Sequence, residues 1–111
     1  MFEKDLNIGY LLDFYGELLS ERKRSVMDMY FNEDFSLAEI ADEIGISRQG
    51  VRDIIKKSEE ELYFYEEKLG LAKKLRQVEE EADSLRKLAE KADIPCDIQK
   101  HIIRLAELTR Q

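Results

Sequence analysis

Ser47, Arg48, Gln49, Arg52, Lys56 and Lys57 crowd into eleven consecutive residues, with Arg48, Arg52 and Lys56 four apart and Gln49 and Lys57 eight apart. Side chains at three- and four-residue steps share one side of a helix. A guanidinium fork matches O6 and N7 of guanine, and a glutamine amide matches N6 and N7 of adenine. Arg48 or Arg52 is therefore expected to bond guanine and Gln49 adenine, with Ser47 beside them. Ser36, Lys56 and Lys57 are suited to phosphate, which sets register without reading sequence. A second basic run, Arg22, Lys23 and Arg24, is placed to contact a flanking backbone. The plainer reading of that run is a solvated helix face.

The element that would position these groups spans Leu37 to Lys57. Counting from Leu37, a small residue (Ala41) stands fifth, where two crossing helices come closest. Gly45 stands ninth, in the turn, and the β-branched Val51 stands fifteenth, locking the second helix on the first. Ile40, Ile44, Ile46 and Ile54 complete the wedge. This is the helix-turn-helix pattern, two helices joined by a short turn that often holds glycine. Its second helix usually enters a major groove by its N-terminal residues. The same unit also serves as a plain packing or protein-binding module, because a fold does not determine a function. Gly50 costs helix stability relative to alanine, by up to ~1 kcal/mol, and suits a close backbone approach to a partner.

Other helices must support this pair. Ile8, Leu11, Leu12, Tyr15, Leu18 and Leu19 mark a buried stripe on a helix from about Lys4 to Leu19, widened by Tyr10 and Phe14. Ser20 is expected to cap a second helix with Val26, Met29 and Tyr30 inward, and residues 32–35 read as a loop. Ser36 and Glu39 form a capping box. Ser47 caps a long helix with the stripe Val51, Ile54, Ile55, Ser58, Leu62, Tyr65 and Leu69, which Gly70 interrupts. Leu71, Leu75, Val78, Ala82, Leu85, Ala89 and Ala92 then follow steps of four and three, a coiled-coil-like seam. After Pro95 a last helix, about Asp97 to Thr109, is expected to bury Ile98, Ile102 and Leu105.

These readings predict an all-α chain: a helix-turn-helix bundle over residues 1–69 and a helical C-terminal arm over 70–111, with its seam at 71–92. The 111 residues suffice for one principal core. The seam either folds back on the first helix or pairs with the same seam of a second chain. Twofold symmetry is the commonest in soluble oligomers, which favours a homodimer. The net charge of −7 argues against a sequence-blind nucleic-acid coat. The acid is concentrated outside the motif: residues 36–58 are neutral overall and residues 59–69 carry −4.

Four groups of residues extend this reading. Leu12-Asp13-Phe14-Tyr15, Asp34-Phe35-Ser36-Leu37, Ser47-Arg48-Gln49 and Tyr65-Glu66-Glu67-Lys68-Leu69 resemble, in the expected order over about residues 6–70, the YlxM-like family of bacterial proteins associated with the signal recognition particle pathway. Ile46-Ser47-Arg48-Gln49 with Val51 also resembles the last, promoter-reading region of bacterial sigma factors. The resemblance implies a sigma-region-4-like helix-turn-helix with a helical extension. It also implies a regulatory role in that pathway, with DNA, signal recognition particle RNA or the particle's GTPase as partner. The alternative is an adaptor that binds a component of the particle without touching nucleic acid. The family pattern would place alanine at 50, an aromatic at 52 and asparagine at 54; here stand Gly50, Arg52 and Ile54.

Catalysis finds little footing. Cys96 and His101 are the single cysteine and the single histidine. A nucleophile at Cys96 would lack a third group, and Asp97 beside it opposes a thiolate. No disulfide can form within the chain. Zinc would need four ligands, and no phosphate-cradling glycine loop is present. No cofactor, metal or small-molecule substrate is therefore expected. Glu59-Glu60-Glu61 and Glu79-Glu80-Glu81 read as solvated faces. With no signal peptide and no apolar run long enough to span a bilayer, the expectation is a cytoplasmic protein without membrane insertion.

Overall fold

A computed structural model describes residues 6–110, so Lys4 and Asp5 of the first expected helix lie outside the described residues. The described chain is helical, without strands: α1 (Leu6–Tyr15), α2 (Glu21–Phe31), α3 (Leu37–Ile44), α4 (Arg48–Leu69), α5 (Leu71–Lys91) and α6 (Cys96–Leu108). It forms two compact units, one ending at Leu69 and the other beginning at Gly70.

In the first unit α4 is the central post, with α1, α2 and α3 packed against it. Its inner row is Val51, Ile55, Ser58 and Leu62, all fully buried. Around that row stand Ile8, Leu11, Leu12 and Tyr15 of α1, Val26, Met27 and Tyr30 of α2, and Ile40 and Ala41 of α3. Ser58 is the one polar member of the row. Its hydroxyl donates to the Ile54 carbonyl at 2.7 Å, which removes the cost of burying it. Two helix starts follow the capping chemistry expected of them. Ser20 Oγ accepts from the Lys23 backbone N–H. Ser36 and Glu39 satisfy each other's backbone N–H groups at 3.1 and 2.9 Å, a complete capping box.

The first helix departs from expectation at its end. Residues Gly16–Leu18 tighten into a 3-10 turn. Such a turn takes three residues per revolution instead of 3.6, so the phase of the stripe slips. Leu18 turns out to solvent, 55% exposed, while Leu19 stays buried. On α2 Val26 and Met27 are fully buried, with Met29 only half-buried. Leu69, at the end of α4, is also exposed.

Gly70, at φ +62°, caps the start of α5 in the left-handed region. In the second unit α5 and α6 form a helical hairpin. Ala82 and Ala89 of α5, Ala106 of α6 and Thr109 just after it are buried. Small residues let the two backbones approach closely. Arg110 closes the open end by donating to Asp83 at 2.7 Å, and Arg86 and Lys87 share the same carboxylate. Within its own unit α5 packs against α6. α6 covers only part of the seam. Leu71, Val78 and Leu85 remain exposed, and so do Ile98 and Leu105, which were expected to be buried. Pro95 sits just outside α6 as its N-cap, and Cys96 is the first helical residue.

Candidate nucleic-acid interface

The two helices of the motif are held as their sequence demands. Gly45 ends α3 at φ +75°, ψ +37°, a left-handed conformation that only glycine adopts cheaply. Its N–H and that of Ile46 both return to the Ala41 carbonyl, at 2.9 and 3.1 Å. This is the doubled closure that lets the chain reverse in three residues. Ser47 Oγ then accepts from the Gly50 backbone N–H at 3.0 Å and starts α4. Ile40, Ala41 and Val51 are buried where the helices cross.

This clamp turns the other side of α4 outward. Arg48, Gln49, Arg52, Asp53, Lys56 and Lys57 are all exposed. The four cations form no ion pair with any described residue. Asp53 is the one carboxylate among them, and it is engaged by the Gln49 amide at 3.0 Å. One of the two N–H donors of the Gln49 amide is thus engaged, which leaves the second N–H and the carbonyl oxygen for a partner.

Charge along α4 runs against the helix dipole. Helix N-termini favour anions. α2 and α3 follow this with Glu21 and Glu39 in their first turns. α4 has no acidic residue in its first turn and carries Arg48 there, while Glu66 and Glu67 sit in its last turn beside Lys68. An anion docked at this end would meet both free N–H groups and guanidinium.

The other expected contact residues divide. Ser36 is exposed at the start of α3, its oxygen occupied by the capping box and its hydroxyl proton free to donate. Arg22 and Arg24 are exposed and unpaired among the described residues. Lys23 is a correction to the basic run: it is half-buried and bonded to Glu61 of α4 at 2.9 Å, so it braces α2 against α4. That bond, with a second from the Tyr65 hydroxyl at 2.7 Å, holds the Glu61 carboxyl below the usual carboxylate range. The same Glu61 contact, with burial, raises the Tyr65 phenol. Gly50 is also explained from within the chain. A Cβ there would lie 3.2 Å from both Ile46 Cδ1 and Ser47 Oγ, so the missing side chain makes room for the turn.

The bracing contacts of α4 carried no sequence signal. Tyr15 donates to Glu66 at 2.6 Å across 51 residues of chain. Spacing along the sequence cannot reveal such a pair. The acidic run 59–61 is likewise not wholly a solvated face, since Glu61 is structural.

Cys96 is a free, exposed thiol and His101 is exposed. Five residues apart on α6, they stand about 140° apart around the helix axis. No group of three or more potential metal ligands occurs among the described residues. No helix is long and apolar enough to cross a membrane.

A helix-turn-helix whose second helix presents unpaired cations defines the class. Sequence comparison gives the family. Residues 2–104 match the family described as "Putative helix-turn-helix protein, YlxM / p13 like". A UPF0122 protein of Exiguobacterium sibiricum is 43% identical over 106 residues, 96% of each chain. One from Clostridium kluyveri is 49% identical over 78 residues, 70% of each chain. One from Listeria innocua is 47% identical over 85 residues, 77% of each. The chain belongs to the YlxM / p13-like helix-turn-helix family.

Proposed function

We propose that this protein is a cytoplasmic nucleic-acid-binding regulator that acts in the signal recognition particle pathway, with α4 as its sigma-region-4-like recognition helix. The observation that carries this reading is the outward face of α4. Arg48, Arg52, Lys56 and Lys57 stand exposed and unpaired there in a chain of net charge −7. Acidic proteins with spare carboxylates can neutralise such a cluster internally; this one leaves it open, with Arg48 at the helix end that attracts anions. Arg48 and Arg52 would contact bases, Ser47 and Gln49 would accept or donate at base edges, and Ser36, Lys56 and Lys57 would hold phosphates. Arg22 and Arg24 extend the phosphate contacts.

A second reading is favoured by a different part of α4. Tyr63 and Phe64 are 44% and 53% exposed and lie among Glu60 and Glu67. An acidic surface with aromatic anchors suits a basic protein partner, such as a component or GTPase of the signal recognition particle.

The deciding experiment measures binding of the purified protein to signal recognition particle RNA and to a random duplex DNA pool at two salt concentrations. Binding that weakens as salt rises, with a slope set by the number of phosphates neutralised, supports the nucleic-acid reading and identifies the polymer. No binding to either at low salt transfers the function to the acidic aromatic surface.

A further inference from the structure

The α5–α6 hairpin leaves half of the α5 seam uncovered. Leu71, Val78 and Leu85 are 50%, 42% and 41% exposed and stand seven residues apart. They therefore form a straight row along the helix, the repeat of a coiled-coil core position. The companion row, Leu75, Ala82 and Ala89, is half-buried to buried. A regular apolar row that its own hairpin does not cover is an unfilled helix–helix interface.

The charges beside the row indicate what fills it. Lys74 and Glu81 flank it on the side away from the buried positions. Both are exposed, and neither forms an ion pair with another described residue. Val78 is the midpoint of the row, with Leu71 and Leu85 equally far on either side. An antiparallel copy of α5, related by a twofold axis through Val78, would set Leu71 of each chain against Leu85 of the other. Lys74 is four residues before Val78 and Glu81 three after it. The same axis therefore brings Lys74 to within one residue's rise, about 1.5 Å, of the level of Glu81 on the second copy. This happens twice by symmetry. In a parallel pair the same flank of the two helices faces opposite sides, so Lys74 and Glu81 would not meet each other. Flanking charges of this kind set partner and orientation in coiled coils.

We infer that the exposed α5 row is a homodimer interface, in which two copies of this chain pair antiparallel about Val78 with reciprocal Lys74–Glu81 ion pairs. The inference stands apart from the nucleic-acid reading, since it rests on residues outside the helix-turn-helix. Its consequence for that reading is a dimer with two recognition helices, suited to two half-sites.

The test is sedimentation equilibrium of the full chain and its charge-reversal variants, with far-UV circular dichroism as a check on folding. The wild type is expected to be a dimer in reversible equilibrium with monomer. Lys74→Glu and Glu81→Lys each turn both attractive pairs repulsive, and each is expected to raise the dimer dissociation constant by about ten-fold or more. The double variant restores complementarity and should recover the dimer. An equimolar mixture of the two single variants should form a heterodimer, because every pair is then opposite in sign. Recovery in the double variant or the mixture excludes misfolding as the cause. A wild type that stays monomeric at every concentration overturns the inference. So do single variants that dimerise like wild type, or a mixture that stays monomeric.

Discussion

At the scale of single residues, function comes down to which charges are spent inside the protein and which are left over. Lys23 and Glu61 are adjacent to candidate contact residues in sequence or in space, yet they are joined to each other. Arg48 and Arg52 are not joined to anything described. Arg48→Ala and Arg52→Ala are each expected to cost about 1–3 kcal/mol of affinity on a cognate nucleic-acid site, with helicity unchanged. Equal affinity for both variants and wild type in a filter-binding or anisotropy titration would remove α4 from the interface. Asp53 acts in the opposite sense, as the one carboxylate on the basic face and the anchor of the Gln49 amide. Asp53→Ala is expected to raise affinity for unrelated duplexes and to narrow the gap between preferred and random sequences. Selection from a random pool, run in parallel on wild type and variant, measures both effects.

At the scale of elements, the motif works because its turn is inexpensive and its crossing is tight. Gly45 in the left-handed region allows α3 to end and α4 to begin within three residues. Gly45→Ala is expected to destabilise the fold by about 1–2 kcal/mol, the cost of a side chain in that conformation. No atom lies within 4 Å of the added Cβ, so conformation alone sets the penalty. Urea unfolding with an unchanged slope would show it, and an unchanged midpoint would contradict the assignment. The pattern of small, glycine and β-branched residues was legible in the sequence because each answers a local geometric demand. The end of α1 was not. Leu18 fits the apolar period, and only the packed turn at Gly16–Leu18 shows that the period has slipped.

At the scale of the whole molecule, a few long-range pairs tie sequence-distant helices together. Tyr15 to Glu66 and Lys23 to Glu61 brace α1 and α2 against the acidic half of α4. Asp83 joins Arg86, Lys87 and Arg110 in the second unit, and Arg86 foremost holds its carboxyl below the usual range. Both Glu61 and Asp83 have lower proton affinity folded than unfolded. Their contribution is therefore complete above the ordinary carboxylate range, roughly pH 4–4.5, and is lost as pH falls through that range to the depressed values. Thermal midpoints are expected to be level between about pH 5 and 7 on this account and to fall below it. Glu61→Gln should be less stable than wild type at neutral pH and should lose less on acidification. A parallel fall for the two proteins would show that Glu61 is not a source of the acid sensitivity.

The sequence by itself determined the helices, their caps, the turn of the motif and the outward cations of α4. These follow from periodicity and backbone chemistry within a few turns of each residue. It also carried the family, because matching groups such as Asp34-Phe35-Ser36-Leu37 recur in order along the chain. Only the tertiary structure decided which apolar residues are covered and which charges are spent. Leu18, Leu69, Val78, Leu85, Ile98 and Leu105 are apolar at helical spacing and yet exposed. Spacing specifies that a helix has an apolar face, while coverage depends on how far the neighbouring helix reaches. The same holds for Lys23 and Glu61: 38 residues apart in the chain, they meet because α2 packs against α4.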